Sequence, residues 1–375
     1  MGEIKWRRPH LRVAPPSEDM FQAQGCGVYD APRDLEDPVF DGLRNRSVRK
    51  VLVISYFTGK NFGDRLGVPI LNSVLPSHVE IEHVPFLPCG KDYDCADISL
   101  EDAARYDAVI LGIGMSVYRP VLNDHLMAIL KSIPLRIGIF GTQYQESIPL
   151  DRMKELLGML DLWLARYQTD LTRFGHLVPK NRSLHMGDWM ISSCPMRDPS
   201  TYRFLSVSCE FDHVSRSYHT HTHTHTHEND SNIGTREPVT LYVPSNVLYD
   251  EVHLDRFVES IQSARFVFSG RLHPLLCSLP SAEAVAYTEQ MKRGIKSGKF
   301  ESMFRDVFSE KVEPDKWFKV NRSCVLKYKR MIELNIRVLR QVFSTWQDRD
   351  VVCDDDESIE MMGSSSSTSR MVYLK

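Results

Sequence analysis

The sequence predicts an α/β protein of two Rossmann-like domains with a C-terminal closing helix. Three observations carry the prediction. Apolar, β-branched runs of strand length alternate with helical spacing through the first half, the pattern of a parallel sheet covered on both faces. The same alternation begins again near residue 200. At 375 residues the chain also exceeds the usual size of one core, so two domains are expected, each large enough to bury its own.

Residues 1–48 are rich in Pro, Arg and Asp without sustained periodicity and read as an irregular arm. The N-terminal Rossmann-like domain is assigned to 49–190. Lys50-Val-Leu-Val-Ile-Ser-Tyr56 is the expected first strand, Thr58-Gly-Lys-Asn-Phe-Gly-Asp-Arg65 a glycine-bearing loop, and Leu66 to Leu75 a helix. Val79 to Pro85, Asp107 to Gly112 and Leu135 to Gly141 follow as strands. Between the last two, Leu122, Leu126, Ile129 and Leu130 keep helical spacing across Val121 to Ile133. Arg152 to Leu162 reads as helix, Trp163 to Tyr167 as a strand end, Thr169 to His176 as a helix start, and Leu184 to Asp188 closes this half.

The C-terminal Rossmann-like domain is assigned to 191–312. Tyr202 to Phe211 and Val239 to Val243 read as strands, and Leu254, Phe257, Val258 and Ile261 turn one helical face toward a sheet. Between them, within an insertion at 217–236, His219 to His227 alternates His and Thr without exception. Its five imidazoles lack fixed geometry for a metal, and a polar tract cannot bury enough surface to order itself, so a solvated loop is expected. The alternation is also what an expanded CA dinucleotide tract encodes. Residues 313–348 carry the closing helix, with Val325, Ile332, Ile336, Leu339, Phe343 and Trp346 on one stripe; the acidic and Ser-rich residues 349–375 read as a disordered tail.

Composition is that of an ordinary soluble protein. A net charge of −3 gives no support to a nucleic-acid partner, so any anion site must be local. No run approaches the length of a membrane span and the N-terminus lacks an apolar signal core, which predicts a cytoplasmic location. The eight cysteines include no C-x-x-C pair and are expected as reduced thiols without a zinc site or any other metal.

The chemistry is expected around Arg265 to Pro280. An apolar strand (Arg265 to Ser269) runs through Gly270 into a short helix with Pro274 as its first position. Ligands of open α/β sheets bind beyond the carboxyl ends of the strands, where helix N-termini favour anions. Arg271 and His273, two residues apart in an extended loop, would close on one anionic ligand; the alternative is an Arg on a rim and a capping His. Other motifs fail. Gly112-Ile-Gly114 has Val117 where a dinucleotide fingerprint needs its third glycine, and Gly294-Ile-Lys-Ser-Gly-Lys-Phe300 is one residue short of a P-loop and ends in Phe300.

Asn61-Phe-Gly-Asp64, Leu111-Gly-Ile-Gly114, Ala165-Arg166 with Thr169, Met186-Gly-Asp188, and Ser269-Gly-Arg-Leu-His273 followed by Pro280 and Ala284-Val-Ala-Tyr287 occur in order over residues 50 to about 290. This ordered set resembles the polysaccharide pyruvyl transferase family. Two departures stand out: Gln290 and a displaced Lys292 follow Tyr287 where the family has a closer Lys, and Trp189 replaces the proline after Gly-Asp. The resemblance implies a GT-B-like pair of domains and a pyruvyl ketal formed on two hydroxyls of a sugar, in polysaccharide or exopolysaccharide biosynthesis. It implies phosphoenolpyruvate as donor substrate, no cofactor, and a glycan or glycoside as acceptor. Asn61, Gly63, Gly112, Gly114, Arg166, Arg271, His273 and Lys292 would bind the donor. The donor's carboxylate and phosphate call for guanidinium forks, supplied by Arg166 and Arg271. His273 serves either as the acid that protonates the methylene carbon or as a phosphate ligand. Asp64 either orients or deprotonates an acceptor hydroxyl, or bonds its own loop N–H groups. The rival readings are a nucleotide-sugar-dependent glycosyltransferase and a catalytically silent binding relative.

Overall fold

The structure is a computed structural model that describes residues 25–27, 40, 43, 46–57, 62–179, 182–198, 204–208, 239–242, 251–292 and 294–343. Most of the arm at 1–48, the His-Thr tract, Trp346 and the tail at 349–375 lie outside the described residues.

The first half runs β1 (Lys50–Ser55), α1 (Phe62–Val74), β2 (Glu80–Pro88), β3 (Asp94–Ala96), α2 (Leu100–Ala103), β4 (Ala108–Val117), α3 (Asp124–Ser132), β5 (Leu135–Thr142), α4 (Leu150–Met159), β6 (Leu162–Ala165), α5 (Gln168–Phe174) and β7 (Ser183–His185). Seven strands form one sheet in the order β3-β2-β1-β4-β5-β6-β7, parallel except for β3. Strands β1, β5 and β6 are buried almost end to end, as expected of strands covered on both faces. The order departs from that of dinucleotide-binding sheets. Leaving out β3, the parallel strands run 2-1-3-4-5-6 in chain order, the flavodoxin-like winding, which puts the topological switch point between β1 and β4.

The second half runs β8 (Phe204–Ser208), β9 (Val239–Tyr242), α6 (Glu251–Gln262), β10 (Phe266–Ser269), α7 (Leu272–Ser278), β11 (Ala284–Tyr287), β12 (Met291–Lys292), β13 (Ile295–Lys296), α8 (Lys299–Phe308), β14 (Phe318–Lys319) and α9 (Arg322–Phe343). Its sheet has the order β14-β11-β10-β8-β9, parallel except for the edge strand β14, and β12 pairs with β13 as a separate hairpin. The parallel strands again wind 2-1-3-4. Helix α7 starts at Leu272, so Pro274 is its third residue rather than its first; a proline there still lies in the first turn, where an N–H has no intrahelical partner.

The two sheets share one apolar cluster. Val51, Val53, Ile70 and Leu71 of the first half pack in the same cluster as Val258, Leu275 and Leu339 of the second. Helix α9 ties them together. Val325, Ile332, Leu339 and Phe343 of the predicted stripe are buried, Asn335 donates to the His185 carbonyl (2.7 Å), and Arg340 reaches the Val74 carbonyl at the end of α1 (3.2 Å). Gly187 makes this approach possible. Its φ is +77°, and a Cβ there would lie 2.8 Å from Ile332 Cγ1.

The reduced-thiol expectation is corrected for four cysteines: Cys26 pairs with Cys324, and Cys89 with Cys95. Spacing along the chain was the wrong signal, because Cys26 and Cys324 are 298 residues apart and are joined only by the fold. Cys194 and Cys277 are free and buried. Disulfides persist in oxidising compartments, so the cytoplasmic expectation is not carried forward. No helix among the described residues is long and apolar enough to cross a membrane.

Candidate functional site

Arg166 leaves the carboxyl end of β6, Asp188 follows β7, and His273 lies in the first turn of the helix after β10. All three are buried, at 5%, 1% and 5% exposure. They form one network. Arg166 donates to Asp188 Oδ2 from Nε (2.8 Å) and again from Nη2, and Nη2 also donates to His273 Nε2 (2.6 Å). The Asp188 N–H in turn donates to the Tyr328 hydroxyl of α9 (2.6 Å), and Asp188 Oδ1 is buried with no hydrogen-bond partner among the described residues.

A guanidinium can only donate, so His273 Nε2 accepts and the proton of the neutral ring sits on Nδ1. That edge of the ring lies against Gly63 in the first turn of α1; a Cβ at Gly63 would collide with the imidazole. The glycine of the predicted N-x-G-D loop is therefore what lets α1 of one sheet touch α7 of the other. Burial first, then the positive charges of Arg166, Lys299 and Arg271, hold the His273 pKa well below the ordinary imidazole value. Accepting from Arg166 and with its pKa held down, His273 differs from the acid titrating near neutrality that the sequence suggested.

Arg271 is set by its own turn. Ser269 Oγ accepts from the Arg271 N–H (2.9 Å) and donates to the Arg271 carbonyl (2.8 Å), while Gln290 Nε2 donates to the Gly270 carbonyl (2.5 Å). Asp64, in the first turn of α1, is buried. Lys299 was missed by the sequence reading. It opens α8 directly after Gly298, whose φ is +74°, and lies 8% exposed within the segment set aside as a failed P-loop. Burial lowers its pKa to about 7; Arg166 and Arg271 push the same way, and Asp64 and Glu289 oppose them. Asp64, Arg166, Arg271 and Glu289 thus all lie within electrostatic reach of Lys299. The available signal was a cation immediately after a glycine turn at a helix start.

Tyr144, after β5, also joins the cluster. Its backbone is left-handed (φ 51°), an uncommon state for a bulky residue, and Glu289 and Arg271 act on its hydroxyl. The other predicted residues stand apart or outside view. Gly112 has φ +131° and abuts the Ile139 carbonyl of β5, at the register shift between Gly112 and Ser116, so strand packing accounts for this glycine. Gly114 lies in the same irregular stretch of β4. Asn61 and the side chain of Lys292 lie outside the described residues; the Lys292 backbone is in the β12–β13 hairpin. Tyr287 is core: it stacks on Phe300 (4.6 Å between centroids) and donates its hydroxyl to the Val312 carbonyl.

The cluster thus combines Arg166, Arg271, Lys299 and His273 with Asp64 and Asp188, where the carboxyl ends of β1, β6, β7 and β10 meet. Such an arrangement can hold a small anion and move a proton. A cavity of about 620 Å³ lined by Lys50, Glu80, Glu82, Ser99 and Tyr106 lies instead at the amino ends of β1 and β2, the end of the sheet opposite this cluster.

No family model matches the sequence, and no curated protein matches it. A crystal structure described as that of the glycotransferase of kitacinnamycin is similar over 82% of this chain and 98% of its own, at 11% identity and a TM-score of 0.33. A likeness of that degree carries no argument about fold or activity.

Proposed function

We propose that the chain transfers the pyruvyl group of phosphoenolpyruvate to two hydroxyls of a sugar, forming a ketal. The observation that carries this reading is the convergence of Arg166, Arg271, His273 and Lys299 with Asp64, from four separate elements, at the meeting edge of two doubly wound sheets. Two sheets whose carboxyl edges face one another are also what a GT-B-like arrangement requires. The donor carries a phosphate and a carboxylate, which match the fork of Arg271 and the charge of Lys299; Arg166, whose Nε and Nη2 are engaged by Asp188 and His273, adds positive potential rather than a second fork. Addition across the enol needs a proton on the methylene carbon while a hydroxyl attacks the neighbouring carbon. Lys299, with its pKa near 7, gives that proton and can recover it near neutrality. Asp64 takes the proton of the attacking hydroxyl. A second hydroxyl then bonds to the same carbon as the bond from that carbon to phosphate oxygen breaks; its proton leaves with the phosphate, and the ketal closes. His273, accepting from Arg166, holds that guanidinium in place.

The test is consumption of phosphoenolpyruvate with stoichiometric release of inorganic phosphate, dependent on an added glycan or glycoside. If phosphoenolpyruvate neither binds nor turns over across a broad acceptor panel while a nucleotide sugar binds, the rival glycosyltransferase reading replaces this one. If neither ligand binds, the chain is a silent relative.

A further inference from the structure

The lumen of the endoplasmic reticulum, one of the compartments that oxidise cysteine pairs, is also where asparagine is modified in Asn-X-Ser/Thr triplets. This sequence contains Asn45-Arg-Ser47, Asn181-Arg-Ser183, Asn229-Asp-Ser231 and Asn321-Arg-Ser323. The last lies wholly within the described residues and runs straight into Cys324, the partner of Cys26.

Asn321 caps α9. Its carbonyl accepts from the N–H groups of Cys324 (3.1 Å) and Val325 (3.2 Å), and its side-chain Oδ1 accepts from both the N–H and the hydroxyl of Ser323, each at 3.1 Å. The hydroxyl and the amide of the triplet are therefore already in contact. N-linked transfer uses the other atom of that amide, Nδ2, and leaves the capping oxygen in place. Ser323 is exposed and Asn321 partly so.

The position is also clear of the candidate site. Strand β14 runs antiparallel to β11, with Lys319 opposite Ala284, the first residue of β11, and the Val320 N–H donates to the Glu283 carbonyl (2.8 Å). Asn321 thus stands at the amino edge of the five-stranded sheet, whereas Arg271 and His273 stand at its carboxyl edge.

We propose that Asn321 carries an N-linked glycan, acquired in the oxidising compartment where Cys26–Cys324 and Cys89–Cys95 form. In the step, Nδ2 bonds to the anomeric carbon of a lipid-diphosphate-linked oligosaccharide. The bond from that carbon to phosphate oxygen breaks, one amide proton goes to the transferring enzyme's base, and the lipid diphosphate departs. The proposal is independent of the pyruvyl reading.

The test is mass mapping of the full chain immunopurified from its own cells, after release by an amidase that converts glycosylated Asn to Asp in heavy-oxygen water. The expected result is a labelled Asp at 321 in chains whose Cys26 and Cys324 are oxidised. Asn321→Asp keeps the helix cap and Ser323→Ala keeps Asn321; each should lose one glycan's shift on a gel, whereas Ser323→Thr should retain it. An unlabelled Asn321 peptide overturns the proposal, and so does a chain recovered with Cys26 and Cys324 as thiols.

Discussion

Replacing Lys299 with Met separates the stability of the site from its work. Lys299 is held with a pKa of about 7, against an ordinary value of 10.5. A tenfold change in acidity is worth about 1.4 kcal/mol, so keeping this group buried at pH 7 costs the fold on the order of 4 kcal/mol. That is an upper figure, since a buried site relaxes and admits water. A methionine of similar length fills the same space beside Phe300 without charge, and it removes repulsion from Arg166 and Arg271. Lys299→Met should therefore raise Tm by several degrees at pH 7. The sign of the pH dependence follows from the lowered pKa. The penalty is fully present below pH 7 and disappears as pH rises toward 10.5, so the advantage of the variant should shrink over that window. Binding should move the other way. Loss of one charge-assisted contact, about 1.5–3 kcal/mol, weakens phosphoenolpyruvate about 10- to 150-fold. Thermal scans from pH 6 to 10 with and without phosphoenolpyruvate read both effects. A variant that melts lower than the parent at pH 7 and binds phosphoenolpyruvate equally well would refute the reasoning.

Asp188→Asn leaves the buried Arg166 charge uncompensated and should cost about 3–5 kcal/mol in denaturant unfolding, whereas Arg166→Met combined with Asp188→Leu should be near neutral in stability and bind donor more weakly. Gly63→Ala drives a methyl into the His273 ring and should cost about 1–3 kcal/mol, with a displaced His273 signal by NMR; an unchanged spectrum would show that α1 and α7 do not meet there. Asp170, which accepts from Thr142 and Gln145, has its carboxyl pKa pushed up to about 7 by burial. The folded state then holds a proton that the unfolded state has lost, so stability should fall as pH rises from about 4 to 7. Asp170→Asn should flatten that slope, as urea titrations across the window would show.

Local pattern sufficed for the parallel strands of both sheets and for α9, but it did not place β3, the β12–β13 hairpin, β14 or α8. The buried runs of β1, β4, β5 and β10 were legible because a strand covered on both faces has to be apolar throughout. The stripe of α9 was legible because one face of that helix has to be buried. Arg166, Arg271, His273 and Asp64 were legible as strand-end and helix-start residues, and the fold brings them together. What the tertiary structure alone decided is the company each keeps. That the His273 pKa is held low depends on burial and on Arg166 and Lys299 from distant elements beside the neighbouring Arg271, and that Lys299 sits near pH 7 depends on burial behind Arg166 and Arg271. The pairing of Cys26 with Cys324 depends on where α9 lies. A pKa or a disulfide is set by neighbours in space and by exclusion of water, and neither is encoded in residue spacing.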